Sequence, residues 1–170
     1  MTTTFPLSPS GVPVVLPIGL GELTVSPKLD PDQVLPAGPA PVTVFELLLD
    51  LLAGDLCFAQ AFVATTVPAA TAAHYTAQAI AEDPNGATYP FGSYSNTLED
   101  DTHSSGEQFT LGISIGPVRL QPSPPLPPSI VQVTAANAGT WKLRVEIVND
   151  GPDPLTVKAF ETAMAATVYR

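Results

Sequence analysis

The densest group of side chains that could carry chemistry lies between residues 99 and 107. The stretch reads Glu-Asp-Asp-Thr-His-Ser-Ser-Gly-Glu, and carboxylate oxygens are the ligands that Ca²⁺ prefers. Its acidic residues do not follow the spacing of an EF-hand loop, which also needs a glycine at its sharp turn. We interpret the stretch as a solvated loop, so the sequence predicts no metal site.

The remaining reactive side chains do not form a catalytic set. Glycoside hydrolysis needs two carboxylates held across a cleft, whereas Glu99, Asp101 and Glu107 share one loop. The single cysteine, Cys57, lies in an apolar run, which predicts a buried and unreactive thiol. The sequence has no glycine-rich phosphate loop, no Cys-x-x-Cys and no His-x-x-x-His. We therefore predict no catalytic residue, no cofactor and a protein that is not an enzyme.

Three aromatic residues, Tyr89, Phe91 and Tyr94, stand close together among small polar residues. Aromatic rings bring a large contact area with few rotatable bonds, so such a loop could stack on a sugar or anchor a protein partner. The same rings could instead belong to a hairpin and cover the edge of the sandwich. Both interpretations stay open on the sequence alone.

Residues 1–42 contain nine of the chain's 20 prolines, a density that excludes a regular helix. Between these prolines the chain is apolar, whereas a solvated linker would be polar. We predict an extended arm that lies against its own domain or a neighbouring subunit. Its partner-binding residues would be Val14, Leu16, Ile18 and Leu20.

The charge of the chain restricts its partners and its compartment. The chain has sixteen acidic and six basic residues, for a net charge of −10. This charge argues against a nucleic-acid or anionic-membrane surface. No run of apolar residues is long enough to span a membrane. Because no Lys or Arg precedes Lys28, we predict that the chain has no signal peptide and is made in the cytoplasm.

The stretch 43–54 carries the one helix signal. Thr43 and Glu46 have the spacing of a capping box, and the apolar residues Phe45, Leu48, Leu49 and Leu52 then recur with a helical period. Alternate residues of the same stretch are also apolar, as in a strand. We predict a short helix near 44–53, with a strand as the alternative.

From residue 55 onward the apolar pattern has a period of two, which indicates strands. Residues 56–67 are apolar on both faces, as in a central strand or one that is covered on both sides. A shift of phase predicts a bulge near residue 160. Turn sequences separate several such stretches. The fold class we predict is mainly β: an antiparallel β-sandwich or jelly-roll-like domain over 43–170, with one short helix and the extended proline-rich N-terminal arm.

These features favour a non-enzymatic structural subunit of a large assembly. An apolar arm, a small β-domain and few charges suit a virion protein, such as a phage capsid, decoration or tail subunit that contacts copies of itself or other subunits. The alternative is a β-sandwich binding module that recognises carbohydrate or a protein through Tyr89, Phe91 and Tyr94. The first hypothesis predicts that the protein is found in a virion, with no nucleic-acid or membrane partner.

Overall fold

A computed structural model describes residues 21–25, 29, 31–68, 71–99, 106–116, 131–159 and 161–170. Within these residues the chain forms ten strands and no helix. The strands are β1 (Glu22–Val25), β2 (Gln33–Leu35), β3 (Gly38–Leu51), β4 (Leu56–Thr66), β5 (Ala72–Glu82), β6 (Thr88–Glu99), β7 (Gly106–Ile115), β8 (Gly139–Asn149), β9 (Leu155–Val157) and β10 (Ala163–Tyr169).

The strands form two antiparallel sheets. The first sheet has the order β1-β10-β4-β7, with the short strands β9 and β2 beyond the end of β10, and the second has the order β3-β8-β5-β6. From β3 onward the chain passes from one sheet to the other at each step, except at the β5–β6 hairpin and between β9 and β10. This order is that of an eight-stranded jelly roll, in agreement with the predicted mainly β fold.

One continuous core fills the space between the two sheets. Trp141, Leu143, Val145 and Ile147 of β8 are fully buried, as their alternation with polar residues predicts. The buried indole N–H of Trp141 donates a hydrogen bond to the carbonyl of Asn137 at 2.8 Å. Burial of this apolar surface is the main force that holds the sheets together.

The sheets approach each other closely where the edge strands β6 and β7 meet. A Cβ atom placed on Gly92 would lie 3.7 Å from the backbone N and O of Gly112. The contact joins the sheets along one side of the sandwich.

The predicted helix near 44–53 is wrong, because these residues belong to strand β3 and the turn after it. Leu47, Leu49 and Leu51 point into the core, whereas Leu48 is 54% exposed. β3 pairs with β8 along most of its length, so its backbone groups are satisfied across the sheet rather than within a helix. The alternating pattern therefore outweighs the helical one.

The described residues between 21 and 42 pair with the two sheets. β1 pairs with β10, β2 pairs with β9, and β3 already begins at Gly38. Asp32 forms an ion pair with Lys158, and its carboxylate accepts a hydrogen bond from the backbone N–H of Ala159 at 2.6 Å. Residues 1–20 lie outside the described residues, so the extended arm stays a prediction for that segment.

The last strand is interrupted where the apolar phase shifts. Val157 of β9 lies opposite Thr65, and Ala163 of β10 lies opposite Phe62. Six residue steps on this strand therefore face three on β4. The hydroxyl of Thr162 accepts a hydrogen bond from the β4 backbone at 3.2 Å and replaces part of the missing ladder.

Candidate interaction surface

The three aromatic residues predicted to bind a partner lie on strand β6 rather than on a loop. The ring of Tyr89 stacks on Trp141 with 5.8 Å between ring centroids, and its hydroxyl donates to the carboxylate of Asp83 at 3.2 Å. Phe91 is half-buried against the core. These contacts match the interpretation in which the rings belong to a hairpin and cover the edge of the sandwich.

Tyr94 packs on a different part of the core. Its ring lies parallel to that of Phe109 at 4.5 Å, and its hydroxyl donates to Glu107. Tyr89 and Tyr94 therefore do not form one aromatic platform. Partner binding by Tyr89, Phe91 and Tyr94 stays a prediction.

Glu107, which the sequence placed in a solvated loop, accepts hydrogen bonds from both strands of the opposite hairpin. The Tyr75 hydroxyl donates at 2.8 Å and the Asn96 amide at 2.7 Å, in addition to Tyr94. Burial disfavours the charged carboxylate, but the three hydrogen bonds outweigh it and hold the pKa of Glu107 below its usual value. Burial also raises the pKa of Tyr75. The carboxylate therefore links β7 to the second sheet.

The outer surface of the first sheet is distinguished by its lack of charged residues among those that the structure describes. None of its outward-pointing residues on β1, β10, β4 and β7 is charged within the part of the chain that the structure describes. We call this surface the uncharged face. Its residues are Leu23, Val25, Ala163, Ala165, Thr167, Tyr169, Leu56, Phe58, Gln60, Phe62, Gln108, Thr110, Gly112 and Ser114.

The composition of β4 predicted a central strand or one covered on both sides. β4 is central, between β10 and β7, and within the described residues only one of its sides is covered. Cys57, Ala59 and Ala61 are buried in the core, but Phe62 on the uncharged face is 48% exposed. Leu23 at the β1 edge is 65% exposed. Exposed aromatic and aliphatic residues in one contiguous, charge-poor area are typical of an interaction surface.

The outer surface of the second sheet differs sharply in charge. Glu82 forms ion pairs with both Lys142 and Arg144, and Arg144 also pairs with Glu146 at 2.8 Å. Hydrogen bonds from Arg144 and Lys142 hold the pKa of Glu82 below its usual value. The two sheets thus offer one charged and one uncharged outer surface, although they share a single core.

A groove of ≈440 Å³ borders the uncharged face beside Phe62. Gln108 and Thr110 line it from β7, and Glu161 of the bulge between β9 and β10 lies at its margin. The Gln108 amide donates to the Glu161 carboxylate at 3.2 Å. Among the described residues, no group of three or more His, Cys, Asp or Glu could hold a metal ion.

The other predicted partner-binding residues, Val14, Leu16, Ile18 and Leu20, lie outside the described residues. Cys57 is fully buried, as predicted, and burial raises the pKa of its thiol to about 12. The part of the chain that the structure describes also holds no helix that could cross a membrane.

Sequence reasoning missed the uncharged face. The signal was present in β4, where Phe58, Gln60 and Phe62 alternate with small apolar residues. The pattern shows that both sides of the strand are apolar, but which strands lie beside it is decided by pairs that are distant in sequence, such as Phe62 with Thr110. The face therefore becomes visible only when four strands are aligned.

Comparison with solved structures finds a similar fold in parts of chains from infectious bursal disease virus particles. No family model matches the chain, and no curated protein matches it. The structure of T=1 particles derived from infectious bursal disease virus aligns with a TM-score of 0.55 at 12% identity, over 96% of this chain and 35% of that one. The T13 particle of the same virus aligns with a TM-score of 0.54 at 13% identity, over 96% and 34%.

A third structure, of the Gt strain of infectious bursal disease virus, gives a TM-score of 0.52 at 13% identity over 96% of this chain and 37% of that one. The chain thus spans 34% to 37% of the length of these chains. At these identities the likeness concerns the fold: this chain has a mainly β fold of two antiparallel sheets that is similar to a part of each of these chains.

Proposed function

We propose that this protein is a non-enzymatic structural subunit of a virus particle, which assembles with copies of itself or with other subunits. The observation that carries the proposal is the fold. The strands follow the order of a jelly roll, and 96% of the chain aligns with chains of infectious bursal disease virus particles. Jelly rolls are frequent in viral capsid domains. The uncharged face supports the proposal independently, because subunit interfaces bury charge-poor surfaces.

The finer parts of the proposal come from the sequence. Val14, Leu16, Ile18 and Leu20 are its partner-binding residues, and the protein resides in a virion, as a capsid, decoration or tail subunit of a phage. Recognition of carbohydrate or protein through the aromatic residues of β6 has less support, because the rings of Tyr89 and Tyr94 already pack on core residues.

The proposal is tested by the assembly state of the protein with and without residues 1–20. We expect the full chain to form particles or discrete oligomers far above its 17.7 kDa mass, measured by light scattering and electron microscopy. The chain without residues 1–20 keeps β1 and should fold, with unchanged fluorescence of Trp141, but it should remain monomeric.

A chain in which residues 1–20 are replaced by a Gly/Ser segment of equal length is the matched control, because it restores length without apolar side chains. It should also remain monomeric. A full chain that stays monomeric at high concentration contradicts the proposed function. Equal assembly of all three chains contradicts the role given to Val14, Leu16, Ile18 and Leu20.

A further inference from the structure

We propose that the uncharged face binds residues 12–20 of a second copy of this chain. The inference rests on the proposed function and names the contact by which copies would join. Its basis is the match between the outer surface of the first sheet and the composition of the segment that precedes β1. Three observations lead to it: charge, the position of the chain at Gly21, and the geometry of an extended segment.

The first observation is the match of charge. Residues 1–21 contain no Asp, Glu, Lys or Arg side chain, and the described outward residues of β1, β10, β4 and β7 contain none either. An apolar segment placed on the ion pairs of Glu82, Arg144 and Glu146 would instead bury charges at a large cost. Of the two outer surfaces, only the uncharged face can accept such a segment without that cost.

The second observation is where the described chain begins. A Cβ atom on Gly21 would lie 2.5 Å from Cγ2 of Thr167 and 3.0 Å from Cε1 of Tyr169. Both of these side chains belong to the uncharged face. The segment before β1 therefore joins the domain at a corner of the face, where only glycine leaves room for the two side chains.

The third observation favours binding to the face of a second copy rather than to the chain's own face. β1 starts at the end of the first sheet that holds Tyr169, so an extended continuation toward residue 12 leads beyond that end and away from its own face. Pro13 and Pro17 favour such an extended path. Nine extended residues span about 30 Å, enough to cross the four strands of a neighbouring sheet, which are about 15 Å apart from edge to edge.

The contact is tested by disulfide cross-linking between two separately purified variants. Leu16→Cys places a thiol in the segment, and Gln60→Cys places one at the exposed centre of the uncharged face. Cys57 is fully buried and should not react. Mixing the two variants under oxidising conditions should give a covalent dimer that a reducing agent dissolves. The matched control is Thr97→Cys, an exposed position on the outer surface of the second sheet, which should give none.

A second measurement does not depend on thiols. Phe62→Glu puts a charge on the exposed part of the face and should weaken assembly at least about tenfold, since part of an aromatic ring would no longer be buried. Thr97→Glu adds the same charge to the other sheet and should change assembly by no more than about twofold. Trp141 fluorescence should be unchanged in both variants, which reports that the fold is intact.

The outcomes separate this inference from the proposed function. Particles that form without cross-links to Gln60→Cys and are insensitive to Phe62→Glu overturn the inference and leave the function standing. A cross-link within a single chain carrying both cysteines, with none between chains, also overturns it. Cross-linked pairs without any larger assembly support the contact but contradict the proposed role as a subunit of a virus particle. If neither cross-links nor assembly are observed, both the inference and the proposed function are overturned.

Discussion

Replacing Glu107 by glutamine should loosen the attachment of β7 to the second sheet. The carboxylate accepts hydrogen bonds from Tyr75, Tyr94 and Asn96, so both of its oxygens are used. Glutamine keeps one acceptor oxygen but turns an NH₂ donor toward the other donors. The fully buried hydroxyl of Tyr75 retains a contact with Thr65 at 3.2 Å, which limits the damage.

Hydrogen bonds to a charged group contribute about 1.5–3 kcal/mol each, and leaving a buried polar group without its partner costs about 1–3 kcal/mol. Tyr94 and Asn96 are only half-buried and can turn to water. We therefore expect Glu107→Gln to lower the free energy of unfolding by about 2 kcal/mol near pH 7. The assay is equilibrium urea unfolding followed by the fluorescence of Trp141, the single tryptophan, which is fully buried.

The effect should depend on pH. The pKa of Glu107 in the folded protein lies below its ordinary value of 4.5, so its charged form stabilises the fold above that pH. This stabilisation is lost as the pH falls through the folded-state pKa. The difference between the wild-type protein and Glu107→Gln should therefore be largest near neutral pH and should shrink in acid.

Glu161→Gln is the matched control, because Glu161 is exposed and its one hydrogen bond to another described residue is with Gln108. It should change the free energy of unfolding by less than about 0.5 kcal/mol. Equal stability of Glu107→Gln and the wild-type protein at pH 7 would refute the reasoning. So would a difference that stays the same from pH 7 to pH 3.

Three further predictions test local features of the fold. Leu49→Ala should cost about 2–5 kcal/mol of stability in urea unfolding and Leu48→Ala less than about 1 kcal/mol, because only Leu49 points into the core; equal losses would favour the helix. Gly151→Ala should cost about 3 kcal/mol, since its Cβ would lie 2.8 Å from a backbone atom of β5, whereas Gly112→Ala meets nothing within 4 Å and should be nearly neutral in the same measurement. Cys57 should resist a thiol reagent until the protein unfolds, because burial raises the pKa of its thiol to about 12; rapid labelling of the native protein would contradict this.

Alternation of side chains was enough to predict the class of fold and much of its core. Trp141 and the alternate residues after it could face only one way, because each second side chain of a strand points to the same side. The sequence predicts turns at residues 83–86 and 149–154 for the same local reason, since Gly, Pro, Asn and Asp favour turn conformations. These features depend on neighbours in sequence.

The tertiary structure decided what local patterns left open. Residues 43–51 carry both a helical and an alternating apolar pattern, and pairing with β8 selected the strand. Glu107 follows an acidic stretch and reads as a loop residue, yet Tyr75, Tyr94 and Asn96 of the opposite sheet enclose it.

The uncharged face was also decided by the tertiary structure. Its fourteen residues come from four strands that are far apart along the chain. The sequence determined that each of these strands alternates and that β4 is apolar on both sides. Only the order β1-β10-β4-β7 decided that their uncharged sides form one surface, because hydrogen-bonded pairing between distant segments determines which side chains become neighbours.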